Sequence, residues 1–406
     1  MSKEIDVLVY GATGFTGKLV TRYMAQTYAD SNVTWAVAGR SEEKLKQVFA
    51  DLALPDGVAY HVADASDPEA LRETIARARV VLTTVGPYAR YGNEVVAACA
   101  ELGVHYCDLT GEVHWMRRMI DAHQDTARES GAIIVHTCGF DSIPSDIGTY
   151  FVQKEMQARH GVPARHVKYR AAEFKGGFSG GTLDSMWSMM EQAATDPTIL
   201  TTLADPYALN PKGAPRGLDG PDRATPEYDA DFSAWVAPFV MAGINTRVVR
   251  RTNALMGFPY GRDFRYDEGT LVRPGPLGFL GAAATGLGMS SMNGLAGIEF
   301  TRGLLQRLMP KPGEGPSEET IENGYFTIEL LGKHPSDRTK NLKAIVKGDK
   351  DPGYGSTSKM LAECAVALAQ DEAKVEGGFW TPASAMGDAL LERLPENAGV
   401  TFAVAE

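Results

Sequence analysis

Apolar residues fall in short, nearly unbroken runs over the first third of the chain: Ile5 to Tyr10, Val33 to Ala38, Val58 to Val62, Val80 to Val85, Val104 to Leu109 and Ala132 to Thr137. Runs of this length, rich in Val and Ile, are the pattern of strands covered on both faces. The stretches between them have helical spacing and recognisable starts, such as Ser41 before Glu42 to Leu52 and Asp67-Pro68 before Glu69 to Ala78. Each start offers an oxygen acceptor at the cap, and the second adds a proline in the first turn. Six strands separated by helices predict a parallel, doubly wound α/β sheet.

After residue 150 this alternation stops. Residues 165–175 read as a strand, Thr182 to Ala194 as a helix, and Asp205 to Tyr228, rich in Pro, Gly and Asp, as a long loop. Tyr325 to Leu331 and Leu342 to Gly348 alternate in polarity like paired antiparallel strands, and Ser356 to Ala369 reads as a helix. At 406 residues the chain exceeds one ordinary core. The expected plan is a Rossmann domain over 1–150, an α+β domain on a mostly antiparallel sheet over 151–380, and a C-terminal helix and strand over 381–406 packing back on the first domain.

A formal charge of −11 excludes a phosphate-backbone binder, because nucleic acid needs a basic face. Cys99, Cys107, Cys138 and Cys364 have no paired or metal-ligand spacing, and the eight histidines add none, so no metal is expected. Free thiols and the absence of a basic-then-apolar leader in Met1 to Asp6 make the cytoplasm the expected compartment.

The chemistry begins at the end of the first strand, with Gly11-Ala12-Thr13-Gly14-Phe15-Thr16-Gly17. A strand that turns on glycine and feeds a helix points unpaired N–H groups at a pyrophosphate, although G-x-x-G-x-x-G is a weaker signature than G-x-G-x-x-G. After the second strand come Gly39, Arg40 and Ser41, with Lys44 one turn on. A cation and a hydroxyl where an acid would hold a 2'-hydroxyl point to the 2'-phosphate of NADP(H). Ser41 as a plain helix cap is the competing reading, and Asp64 either contacts adenine or opens a turn.

Further strand-end loops fall on the same edge. They are Val85-Gly86-Pro87-Tyr88, then His105 to Glu112, then Cys138 and Gly139 followed by Phe140 to Asp146. The first and third are expected beside the nicotinamide, and Tyr88, Asp108, Thr110, Asp141 and Ser142 are candidates for orienting substrate or delivering a proton. Tyr150-Phe151-Val152-Gln153-Lys154 matches the acid-base pair of short-chain dehydrogenases, but it follows the sixth strand instead of the fifth and is read as a chance match. Pro274 to Ile298 carries no charge. Its seven glycines and two prolines disfavour a spanning helix, leaving an apolar flap over the substrate or a surface that peripherally touches membrane or protein.

These motifs together resemble the saccharopine dehydrogenase-like oxidoreductases, in particular the group called trans-acting enoyl reductases. Ser179-Gly180-Gly181-Thr182, Asp351-Pro352-Gly353-Tyr354 and Gly377-Gly378-Phe379-Trp380-Thr381-Pro382 add to the likeness. The resemblance implies an NADP-binding Rossmann domain, a second α+β domain, and hydride transfer to a small or lipid-like substrate. The expected activity is NADPH-dependent reduction of an apolar enoyl, carbonyl or imine substrate, with a homodimer as the expected assembly. The rivals are a non-catalytic NADP-binding sensor, a lipid-associated protein and a saccharopine-type dehydrogenase. The last would need a basic pocket from Arg90, Arg170, Lys175 and Arg247.

Overall fold

The alternating runs become β1 (Ile5–Tyr10), β2 (Trp35–Gly39), β3 (Ala59–Val62), β4 (Ala78–Thr83), β5 (His105–Cys107) and β6 (Ile133–Val135) in a computed structural model, which describes residues 3–177, 180–272 and 314–405. All pair in parallel, and β1 and β4 are buried at nearly every position, which is why they read as unbroken apolar runs. The sheet order reverses between β1 and β4, and the crevice at that switch, outside the carboxyl ends of the strands, is where open α/β sheets take ligands.

Beyond it come β7 (His166–Lys175), β8 (Glu227–Asp229), β9 (Ala234–Ala237), β10 (Arg265–Val272), β11 (Tyr325–Lys333), β12 (Leu342–Gly348), β13 (Gly378–Trp380) and β14 (Val400–Val404). The second sheet runs β14-β12-β11-β7-β10-β9-β8, antiparallel except for the parallel pair β7 and β10. β12 alternates buried and open positions as its sequence does.

The first sheet has seven strands where six were expected. β13 pairs with β6 through Gly378, Phe379 and Trp380, a run too short and glycine-rich to announce itself as a strand. Two helices lock the sheets together. Ile143–His160 leaves the β6 loop to pack on β11 and β12, and Thr357–Ala369 packs back on β1, β4 and β5. One hydrophobic core therefore runs from Val7 and Val9 to Phe326 and Val346. Among the described residues no helix is long and apolar enough to cross a membrane. The uncharged 274–298 stretch lies outside the described residues.

Candidate active site

Gly11 holds φ at +92°, and a side chain there would lie 2.5 Å from Val85 Cγ2. The N–H groups of Gly11 and Ala12 both donate to Ala38 O, at 2.9 and 3.2 Å, which ties the turn to the end of β2. Gly14 opens the helix Phe15–Thr27 with no side-chain cap and no acid in its first turn. Gly17 crosses so close to the Gly11 carbonyl that any Cβ would overlap it. The result is a helix start whose orphan amides are left open, walled by glycine, with Thr13 and Thr16 partly exposed beside it and Ala12 buried beneath. A pyrophosphate fits this arrangement on both charge and space.

At the end of β2, Gly39 packs against the Thr13 side chain, and Arg40 stands exposed with no ion-pair partner among the described residues. Ser41 Oγ accepts the Lys44 N–H at 3.3 Å, so Ser41 caps the next helix, while the Lys44 side chain is exposed. Asp64 Oδ1 accepts the N–H and O–H of Ser66 at 2.9 and 2.8 Å, which holds its carboxyl below the usual range. Asp64 thus shapes a turn, and the cations nearby are left for a 2'-phosphate.

The β4 loop carries Thr84, Val85, exposed Gly86 and buried Pro87 and Tyr88, with a cis peptide between Gly86 and Pro87. The Tyr88 hydroxyl donates to Thr83 O at 3.2 Å, its ring tilts against Trp115 at 5.5 Å, and burial raises its phenol well above the usual value. The loop is fixed from the last residue of the His105 to Glu112 run, which is not among the candidates. Glu112 accepts the N–H of Tyr88 at 2.8 Å and of Ala89 at 2.9 Å, capping the short helix Tyr88–Tyr91 from across the site. Burial raises the Glu112 carboxyl despite those donors.

Asp108, fully buried, accepts four donors: the Tyr106 hydroxyl at 2.8 Å, His136 Nδ1 at 2.7 Å, and the N–H groups of Thr110 and Thr137, each at 3.1 Å. Both of its oxygens are committed to this node, which joins the ends of β5 and β6. Thr110 is buried and its hydroxyl accepts the Glu112 N–H at 3.1 Å. Cys138 and Gly139 are buried below the next turn, with the Cys138 N–H on Asp108 O at 2.7 Å.

That turn presents Asp141. It remains partly exposed at the carboxyl edge of the sheet, and its Oδ1 faces Gly111. Burial, followed by the nearby Asp108 charge, raises its carboxyl to about 7. Ser142 is fully buried and gives its one hydroxyl hydrogen to Asn245 Oδ1 at 3.0 Å. Of the five candidates, Asp141 alone joins partial exposure to a proton held near neutrality. The Tyr150 and Lys154 pair lies elsewhere, both side chains bonded to Asp388 Oδ1 at 2.9 and 2.5 Å. Asp146 accepts the Ala383 N–H at 2.8 Å, and so serves an amide in the first turn of Pro382–Arg393 and not of its own helix.

The open helix start, the unpaired Arg40 and the polar strand-end loops define an NADP-dependent oxidoreductase, and residues 7–135 match the model of the saccharopine dehydrogenase NADP binding domain. The chain is 39% identical over 417 residues to a trans-acting enoyl reductase of Mycobacterium tuberculosis, covering 98% of this chain and 97% of the relative. It is 37% identical over 421 residues to the trans-acting enoyl reductase of Mycobacterium ulcerans, covering 99% and 98%. It belongs to the saccharopine dehydrogenase-like family, in the trans-acting enoyl reductase group. The solved saccharopine dehydrogenase (L-Glu forming) of Saccharomyces cerevisiae shares the fold, with a TM-score of 0.52 at 14% identity over 98% of this chain and 99% of that one.

Proposed function

We propose that this enzyme reduces the carbon–carbon double bond of an apolar enoyl substrate, with Asp141 as the proton donor. Bound NADPH supplies the hydride. Gly11, Gly14 and Phe15 hold the pyrophosphate, Arg40 and Lys44 attract the 2'-phosphate, and Gly86 and Pro87 wall the nicotinamide side. Asp141, protonated up to about neutrality, delivers the proton to the carbon beside the thioester carbonyl.

The substrate class rests on the rings gathered around Phe140, the residue before Asp141. The Phe140 ring meets Phe326 at 4.9 Å and Phe174 at 6.0 Å, and Phe174, 39% exposed, stacks on Phe239 at 5.9 Å. This is an apolar wall. A saccharopine-type substrate would need free cations instead. Arg90 is paired with Glu191 and Arg247 with Asp222, Arg170 is buried between Asp229 and Asp267, and of the four only Lys175 stands exposed outside an ion pair among the described residues, one cation where such a substrate would need several. The names of the full-length relatives point the same way.

The test is NADPH oxidation against a panel of enoyl thioesters, aldehydes and imines. Turnover confined to the enoyl thioesters supports the proposal. Turnover only of amino-acid-derived imines would favour the saccharopine-type activity, and tight NADPH binding with no oxidation at all would favour a sensor.

A further inference from the structure

Residues 351–357 touch both halves of the site. Asp351 is fully buried, and its carboxylate accepts three backbone N–H groups: Gly177 at 3.0 Å, Tyr354 at 2.7 Å and Gly355 at 3.4 Å. The turn so fixed sets the Tyr354 ring edge-on to Phe15, with centroids 5.2 Å apart. Phe15 is the first residue of the helix that opens on the glycine turn. At the other end, Thr357 Oγ1 donates to Pro352 O at 2.8 Å and accepts the Phe140 N–H at 2.9 Å. The Thr357 methyl closes on Gly139, where a Cβ would come within 2.9 Å.

The polarity of these bonds is fixed. A hydroxyl has one hydrogen, and Thr357 has given it to Pro352, so a lone pair faces Phe140. The Phe140 amide adjoins Asp141, and a rotation of the turn that swung Asp141 away would leave this donor without its acceptor. On the side of the glycine turn, Phe15 cannot shift without moving Tyr354, which the Asp351 cage holds.

We infer that residues 351–357 form a brace between the dinucleotide turn and the proton-donor turn, with Asp351 and Thr357 as positioning residues, so that filling the first turn steadies the second. This rests on the reading of Asp141 as the proton donor. The coupling would be carried by one short packed segment with a defined set of hydrogen bonds.

Thr357→Val removes the hydroxyl and keeps the shape, whereas Thr357→Ser keeps the hydroxyl. The measurements are hydrogen exchange across residues 139–142 with and without NADPH, the Kd for NADPH, and turnover of an enoyl thioester. In the native protein and Thr357→Ser, NADPH slows exchange of the turn. In Thr357→Val that protection is lost and kcat falls about tenfold, with the NADPH Kd within about twofold, as expected when the hydroxyl's two hydrogen bonds, to Pro352 O and from the Phe140 N–H, are removed. Native protection and turnover in Thr357→Val would overturn the brace, as would Thr357→Ser behaving like Thr357→Val. Should Thr357→Val fail to fold, Tyr354→Leu cuts the brace at Phe15 and must likewise abolish the NADPH-dependent protection. If Asp141→Asn keeps native turnover, the proton-donor reading falls, and the exchange measurement still decides the brace.

Discussion

Ser142 donates to Asn245 Oδ1 at 3.0 Å, and Asn245 Nδ2 donates in turn to Glu268 Oε2 at 3.1 Å. This buried chain of bonds joins the turn after β6 to β10 in the other sheet. The amide turns its oxygen to the Ser142 hydroxyl and its nitrogen to Glu268, so one side chain serves both elements. Ser142→Ala and Asn245→Ala should each lower stability by about 1–3 kcal/mol. Their effects should also be non-additive by at least ~0.5 kcal/mol in denaturant unfolding, since the residues share a network. Strict additivity would show that the bond contributes nothing.

Asp141→Asn keeps the volume of the side chain and removes its transferable proton. Turnover of an enoyl thioester should fall by roughly 100-fold or more, the scale of a lost general acid, while the NADPH Kd stays within about twofold. In the native enzyme, kcat should be level at acid pH and fall as pH rises through about 7, where burial and the Asp108 charge place this carboxyl. A flat profile through that range would remove Asp141 from the proton-transfer step.

The same logic gives stability a direction with pH. Burial raises Asp141, Asp146 and Glu268 each to about 7. A raised carboxyl binds its proton more tightly folded than unfolded, so its contribution is complete below the unfolded value and is lost as pH rises through the folded one. Burial holds His105 and His114 at about 4, which costs stability on the acid side and opposes this trend, but the three carboxyls outweigh those two imidazoles, so the protein should resist urea better near pH ~5.5 than near pH ~8. Equal midpoints would contradict it.

Arg40→Asp replaces the unpaired cation after β2 with the acid that an unphosphorylated dinucleotide prefers. NADPH affinity should drop by roughly 10- to 100-fold, the loss of a charge-assisted contact, and NADH affinity should hold or rise. Equal losses for both cofactors, measured by fluorescence titration, would mean that Arg40 does not read the phosphate.

Glu112→Ala should free two buried N–H groups, those of Tyr88 and Ala89, and loosen the β4 loop. We expect a loss of about 1–3 kcal/mol in stability. A normal melting curve would show that the loop is held by other contacts.

Much of the Rossmann sheet was legible because its inner strands, β1, β2 and β4 above all, are buried at nearly every position and so had to be written as short apolar runs, while β3 at the sheet edge stays largely open. The glycine turn was legible for a related reason: the left-handed backbone at Gly11 and the crowding of Gly17 against the Gly11 backbone admit no side chain, and both requirements are local. Arg40 likewise follows its strand directly. The seventh strand, Gly378 to Trp380, was not legible, since three residues carry no period and acquire strand identity only by pairing with β6.

The glycine turn, the residue after β2 and the strand-end loops at the carboxyl edge could be read from the chain alone, because those constraints act between neighbours along it. Only the tertiary structure separated the candidates in those loops. Tyr88, Asp108 and Ser142 are tied to Thr83, His136 and Asn245, while Asp141 stays partly exposed with its carboxyl raised by burial. A polar residue's role is set by which partners take its hydrogens and lone pairs. Those partners come from up to 103 residues away, a distance that no local pattern records.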